Sequence, residues 1–246
     1  MAAVAALLFT GLAVQQNTAE LKNRSRELDI EQQNQVTGRF TTAVELLGNE
    51  ATDARLGGIY ALQRIMTDSP RDRPAIVQIL SSYIRTNATK PQKSKAPSLT
   101  TAALVPQALP DVAAAASVLA AYDGPQNSLD WNRARLDAIS LPNAHLSGAQ
   151  LRHTTFANAD LNNADLRDAQ LTDADLNSAT LRGANLRDAS LAGADFSYAD
   201  LAQADLRGAF VNGTNFDGAD LTGADLRGVD LGGANLDGAN LQDARR

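Results

Sequence analysis

The sequence predicts an N-terminal α-helical block followed by a β-solenoid, and three observations lead there. Leu, or a stand-in at Phe156, Phe196, Val211 and Phe216, recurs at every fifth residue from Leu136 to Leu241, for 22 pentads. Ala stands two residues earlier in all but four pentads, the exceptions being Ile139, Thr154, Thr214 and Val229, with Asp or Asn commonly between, as in Ala164-Asp165-Leu166. The chain before residue 123 lacks this period and spaces its apolar residues by three and four, as a helix does.

A period of five fits neither regular structure. On a continuous helix, five residues turn about 500°, so successive Leu would visit every face. On a continuous strand, an odd period flips each Leu to the opposite side. The Leu gather only if the chain turns once per pentad. Ala and Leu, two apart, then point inward together and the Asp or Asn between them points out. Gly183, Gly208, Gly223, Gly228 and Gly238 follow their Leu at the corner, where unusual backbone angles are needed.

The A-D/N-L-x-x pattern over residues 130–246 resembles that of the pentapeptide repeat proteins. The resemblance implies a right-handed quadrilateral β-helix with four pentads per coil. Residues 20 apart should then stack: Phe156, Phe196 and Phe216 form one interior column with Leu176 and Leu236, and Arg167, Arg187, Arg207 and Arg227 form one exterior column. At a strand spacing of about 4.8 Å the rod is roughly 26 Å long.

Residues 1–14 are apolar or small and read as part of a membrane anchor, too short to span alone. Lys22, Arg24 and Arg26 follow, a positive flank that places the remainder in the cytoplasm. The expected location is therefore membrane-associated with a cytoplasmic repeat domain, the alternative being simply cytoplasmic. A helical region is expected over 15–86. Val36, Phe40, Val44 and Leu47 line the first helix, and Gly48 ends it. Leu56, Ile59, Tyr60 and Met66 line the second, from Thr52 to Thr67, where Gly57-Gly58 requires a close neighbour. Ser69 caps the third, with Pro70 at its first position. Its buried face is Ile76, Val77, Leu80, Tyr83 and Ile84. The run Arg55-Leu56-Gly57-Gly58-Ile59-Tyr60-Ala61-Leu62 resembles the helical region that precedes the repeats in many actinobacterial members of the family. Residues 87–109, with Lys90, Lys93 and Lys95, form a linker. A short helix at 110–122 is expected to cap the open first coil, whose strand edges would otherwise be unpaired.

Chemistry-bearing motifs are few. Residues 130–246 hold 17 Asp, no Glu and 10 Arg, while the rest of the chain holds 11 acidic and 12 basic residues. The absence of Cys excludes disulfides and thiol catalysis. His145 and His153 lie eight apart with no Cys or Glu nearby, so no metal site is expected. Asp residues repeated at one register position do not provide the differing environments that an acid and a base need. No cofactor, small-molecule substrate or direct nucleic-acid contact is expected, and the chain reads as a non-enzyme.

The candidate partner-binding residues are Arg167, Arg187, Arg207 and Arg227, with Phe210 in an outward slot where Asp is usual. Asp165, Asn185, Asp205 and Asp225 stand beside the arginines. Asn185 leaves one gap in charge, and Gly208 and Gly228 replace the corner Asp168 and Asp188. Compensation is therefore expected to weaken toward Arg207 and Arg227. The function expected is a scaffold or protein-interaction module. The alternative follows the quinolone-resistance members of the family: a DNA mimic that inhibits an enzyme such as gyrase.

Overall fold

The computed structural model describes residues 2–88, 108–124 and 129–246, with side chains from Asn17 onward apart from that of residue 19. Most of the expected linker at 87–109, and the side chains of the apolar segment 1–14, lie outside the described residues. Four helices precede the solenoid: α1 (Ala2–Leu47), α2 (Thr52–Asp68), α3 (Arg73–Ala88) and α4 (Pro110–Ala120).

Helix α1 is continuous over 46 residues, about 70 Å. It therefore begins earlier than the expected Gln15. Its side chains at 20–35 are exposed, and among the described side chains packing comes from its last third, through Val36, Phe40, Ala43, Val44 and Leu47. Gly58 permits that packing. A Cβ there would stand 2.7 Å from the Ala43 carbonyl oxygen, whereas one at Gly57 would meet nothing. The buried face of α2 is Ile59, Leu62, Ile65 and Met66, and Tyr60 is turned outward and 55% exposed. Helix α3 starts at Arg73 rather than at Pro70. Ser69, Pro70, Arg71 and Asp72 form a turn in which the Ser69 hydroxyl donates to Asp72 at 2.6 Å. The Ile76 amide then bonds the Asp72 carbonyl. Among the described residues no helix is long and apolar enough to cross a membrane.

From Asp130 the chain is a right-handed β-helix solenoid. Its coils touch through single-residue parallel bridges between positions 20 apart, such as Asp165 with Asn185 and Asn185 with Asp205, rather than through extended strands. Four pentads therefore make one turn. Each regular pentad sends three backbone bonds to neighbouring coils and makes one within its own turn. For the pentad of Leu186 these are Asn185 to Ala164, Leu186 to Asp205, Asp188 to Arg207, and Ala189 back to Leu186. All lie at 2.7–3.2 Å, so the backbone is satisfied without long strands. The corner two residues after the central residue has positive φ from Arg133 to Asp243, Gly233 excepted, with Asn, Asp and Gly its usual occupants.

The four faces follow from this register. Face I carries Leu136, Phe156, Leu176, Phe196, Phe216 and Leu236. Face II starts at Leu141, face III at Leu146, and face IV at Trp131. Leu, Phe and Ala fill the interior and are almost all fully buried up to Leu226. The Phe196 and Phe216 rings stack with centroids 5.5 Å apart. Thr154 and Thr214, each just before a Phe, are also fully buried, and their hydroxyls donate to the Trp131 and Leu191 carbonyls at 2.8 Å. Trp131 extends the repeat one pentad upstream of Leu136. It is buried in a Leu slot, a substitution the five-residue pattern does not reveal.

The helices sit on the first coil. The His145 amide bonds the Ala120 carbonyl at 2.8 Å, the Ala108 amide bonds the Asp137 carbonyl, and Arg85 pairs with Asp130. One buried knot ties three helices together. Asp111 of α4, 1% exposed, accepts from Arg55 of α2 at 2.5 Å and from the Tyr83 hydroxyl of α3. Burial alone would raise the Asp111 pKa, but the hydrogen bonds from Tyr83 and Arg55 outweigh it and hold the carboxyl below its ordinary range.

Candidate interaction surface

The outward Asp and Asn have a local task. In fourteen pentads among the described residues, the side-chain oxygen just before the central residue accepts the backbone N–H just after it, at 2.9–3.3 Å. This is the Asx-type turn bond that lets a short polar side chain hold a bend. The acidic repeat is thereby accounted for as turn chemistry. Among the described residues no group of three or more His, Asp or Glu could hold a metal. His145 lies 3.9 Å from Asp123, and His153 lies 3.7 Å from Asp173. They stand on faces III and IV and do not converge.

The four arginines do converge, in one row on face III. Arg167 makes a two-pronged pair with Asp165 of its own pentad, at 2.7 and 2.6 Å. Arg207 does the same with Asp205 at 2.8 and 2.6 Å and also lies 3.7 Å from Asp225. Arg227 holds Asp225 at 2.8 and 2.7 Å. These hydrogen bonds keep the Asp165 and Asp205 carboxyls below the usual range. Asp225 is drawn down to about 2, chiefly by Arg227.

Arg187 differs. Its pentad has Asn185 where the others have Asp, and Asn185 bonds only the Arg187 backbone N–H, at 3.3 Å. The exposed guanidinium has no ion pair or hydrogen bond among the described residues. The weakest compensation is thus in the middle of the row and not, as the corner residues suggested, toward Arg207 and Arg227. The reason is distance: a carboxylate two residues away on one extended step reaches the guanidinium directly, while a corner carboxylate does not.

Phe210 stands on face IV, around the Gly208 corner from Arg207, and is 67% exposed. By register its neighbours are small and uncharged: Ser190, Ala192, Gly193, Asn212 and Gly213. Its face IV ladder reaches Ser190 but does not continue to Asp230. Instead Gly213 donates to the Gly233 carbonyl, one residue out of register. A second exposed aromatic, Tyr198, is 65% exposed at a face I corner with φ 57°. Sequence reasoning passed over it, although an aromatic where Gly, Asp or Asn is usual was the available signal. Its ring covers Gly218, where a Cβ would approach to 2.7 Å.

Comparison with known proteins finds the same repeat. The sequence pattern of pentapeptide repeats matches in eight copies across residues 132–168, 169–208 and 204–243. A pentapeptide repeat protein from Nostoc PCC 7120 shares 34% identity over 43% of this chain and 83% of its own, with a TM-score of 0.27. The pentapeptide repeat protein Rfr23 from the cyanobacterium Cyanothece 51142 shares 24% over 47% and 86%, with a TM-score of 0.32. QnrB1, a plasmid-mediated fluoroquinolone resistance protein, shares 20% over 47% and 78%, with a TM-score of 0.25. None of the curated proteins matches the chain. Eight repeat copies, a 20-residue coil and a relative matched over most of its length have one meaning: the chain belongs to the pentapeptide repeat family.

Proposed function

We propose that this protein is a non-enzymatic interaction module whose solenoid presents face III to a protein partner. The observation that carries the reading is the row of four arginines, three exposed and Arg207 half-buried, held in fixed order on a rigid rod, with Phe210 around the corner. Arg side chains of this kind and exposed aromatics are the residue types that anchor protein interfaces. The helical block closes the N-terminal end of the rod, and α1 joins it to the apolar segment 1–14. That segment, followed by Lys22, Arg24 and Arg26, supports a module held at a membrane with the repeat on the cytoplasmic side.

The test is capture by the purified chain. Arg→Gln at 167, 187, 207 and 227 together should abolish capture of a specific partner while circular dichroism stays native. Added salt should weaken capture by the unaltered chain. Capture indifferent to both would overturn the reading. The membrane part is checked separately. The full chain should sediment with membranes in high salt, and deletion of residues 1–14 should release it.

A second reading, mimicry of duplex DNA toward an enzyme such as gyrase, draws on one observation. Faces I and II together carry nine of the 17 Asp and only Arg135 and Arg182 among cations. Over a rod of roughly 26 Å this is about one carboxylate per 3 Å, against one phosphate per ~1.7 Å of DNA. The weaker density ranks this reading second. Inhibition of gyrase supercoiling by the purified protein would reverse the order.

A further inference from the structure

We infer that Arg187 is an open rung of the face III ladder, and that it takes a carboxylate side chain from the partner. The inference rests on the reading of face III as a recognition surface and names the ligand chemistry within it. Arg167, Arg207 and Arg227 each hold a carboxylate from two residues earlier, in two-pronged pairs of 2.6–2.8 Å. Arg187 occupies the same register between Arg167 and Arg207, and its carboxylate is missing because position 185 is Asn. Asn185 keeps the turn bond to the Arg187 backbone N–H at 3.3 Å, so the fold does not need an Asp there. The substitution removes only the charge that would neutralise the guanidinium.

The planar five-donor fork of Arg matches a carboxylate in two-pronged fashion, and such charge-assisted pairs are directional as well as strong. The ladder itself shows which anion fits. Each neighbouring rung holds a monoanionic carboxylate, and Asp165, Asp168, Asp188 and Asp205 surround the open one. That acidic setting disfavours a phosphate carrying nearly two charges and admits a single carboxylate. Ser190 and Phe210 continue from this rung around the corner onto an uncharged shelf. The partner surface that fits is thus an Asp or Glu side chain next to an apolar patch.

The experiment follows the arginine side-chain N–H resonances by NMR in the full chain, with acetate as the probe and chloride at equal ionic strength as the control. Acetate should move the Arg187 Nε resonance several-fold more than those of Arg167, Arg207 and Arg227, and chloride should not. Asn185→Asp should place a carboxylate on the rung in cis. It should move the Arg187 resonance toward those of the other three, remove its response to acetate, and leave the melting temperature undiminished. In the capture assay, Asn185→Asp and Arg187→Gln should each weaken partner binding about tenfold, and Arg227→Gln less than twofold. Equal responses of all four arginines to acetate, or capture that survives Asn185→Asp, would overturn the open rung. If the fourfold Arg→Gln variant still loses capture in a salt-sensitive way, the broader reading of face III survives that result. Retention of capture by the fourfold variant overturns both.

Discussion

The helical block and the solenoid solve the same problem, satisfying buried and half-buried polar groups, in opposite ways. The block does it once. A single carboxylate, Asp111, receives Arg55 and Tyr83, and that knot joins α2, α3 and α4. The solenoid does it by repetition, with the same turn bond in fourteen pentads and the same coil-to-coil ladder except where face IV breaks between Phe210 and Asp230. In the block the Asp111 knot is irreplaceable because nothing duplicates it. In the solenoid the polar residues are interchangeable, and only the interior is unforgiving. Sequence freedom therefore accumulates on the outside of the rod, where a residue such as Asn185 or Phe210 can depart from the pattern without harming the fold.

Substitutions sharpen this contrast. The largest effect is expected from Leu186→Asp, at the fully buried middle of the rod. An unpaired charge among Leu and Ala should cost about 4 kcal/mol or more, and a native melting temperature would break the claim of an unforgiving interior. Asp111→Ala should cost about 3 kcal/mol by removing the one carboxylate that pairs with Arg55 and accepts from Tyr83 in the packed block. Urea denaturation followed by helical circular dichroism measures it, and a loss under 1 kcal/mol would mean that the knot is dispensable. Thr214→Val should cost only about 1 kcal/mol, because the Leu191 carbonyl also accepts the Ala194 amide. Smallest of all, Arg227→Gln should leave the melting temperature unchanged, since exposed pairs contribute little.

Acid should act on both regions in the same direction. The Asp225 carboxyl titrates near 2 in the folded chain, below the unfolded value of about 3.9. Its contribution is present above about pH 4 and is lost as the pH falls toward 2. Asp111 is also depressed, so the knot follows the same direction. Carboxyl NMR titration should show Asp225 among the last groups to protonate. A midpoint at or above the ordinary Asp value would remove the Arg227 pair from the ladder.

The repeat was legible because it is local and redundant. Period five, the Ala–Leu spacing and the stacking of Phe156, Phe196 and Phe216 each follow from where one pentad must place its side chains, and a pattern stated 22 times survives single exceptions. The helical block was legible only in outline. The buried face of α3 was correct because all of one stripe packs. Tyr60 was placed on the wrong side of α2, because spacing alone does not say which neighbours close over a stripe. The start of α3 moved from Pro70 to Arg73, because the Ser69 side chain turned to Asp72 within a preceding turn. For the interaction surface, the arginine column and the Asn185 gap could be read directly from the register.

By itself the sequence determined the solenoid, its interior and the residues that face outward, because a side chain's position within a pentad dictates whether it points in or out. Tertiary structure alone decided the rest. It brought Arg55, Tyr83 and Asp111 together from three helices, drew Trp131 into the first coil, and bonded α4 to it through Ala120 and His145. It also decided that Arg167, Arg207 and Arg227 each close a two-pronged pair with the Asp of their own pentad rather than with a corner carboxylate. Those outcomes depend on distances of about 3 Å between groups up to 56 residues apart in the knot, and on side-chain reach across one extended step in the ladder. Neither quantity is carried by composition or period.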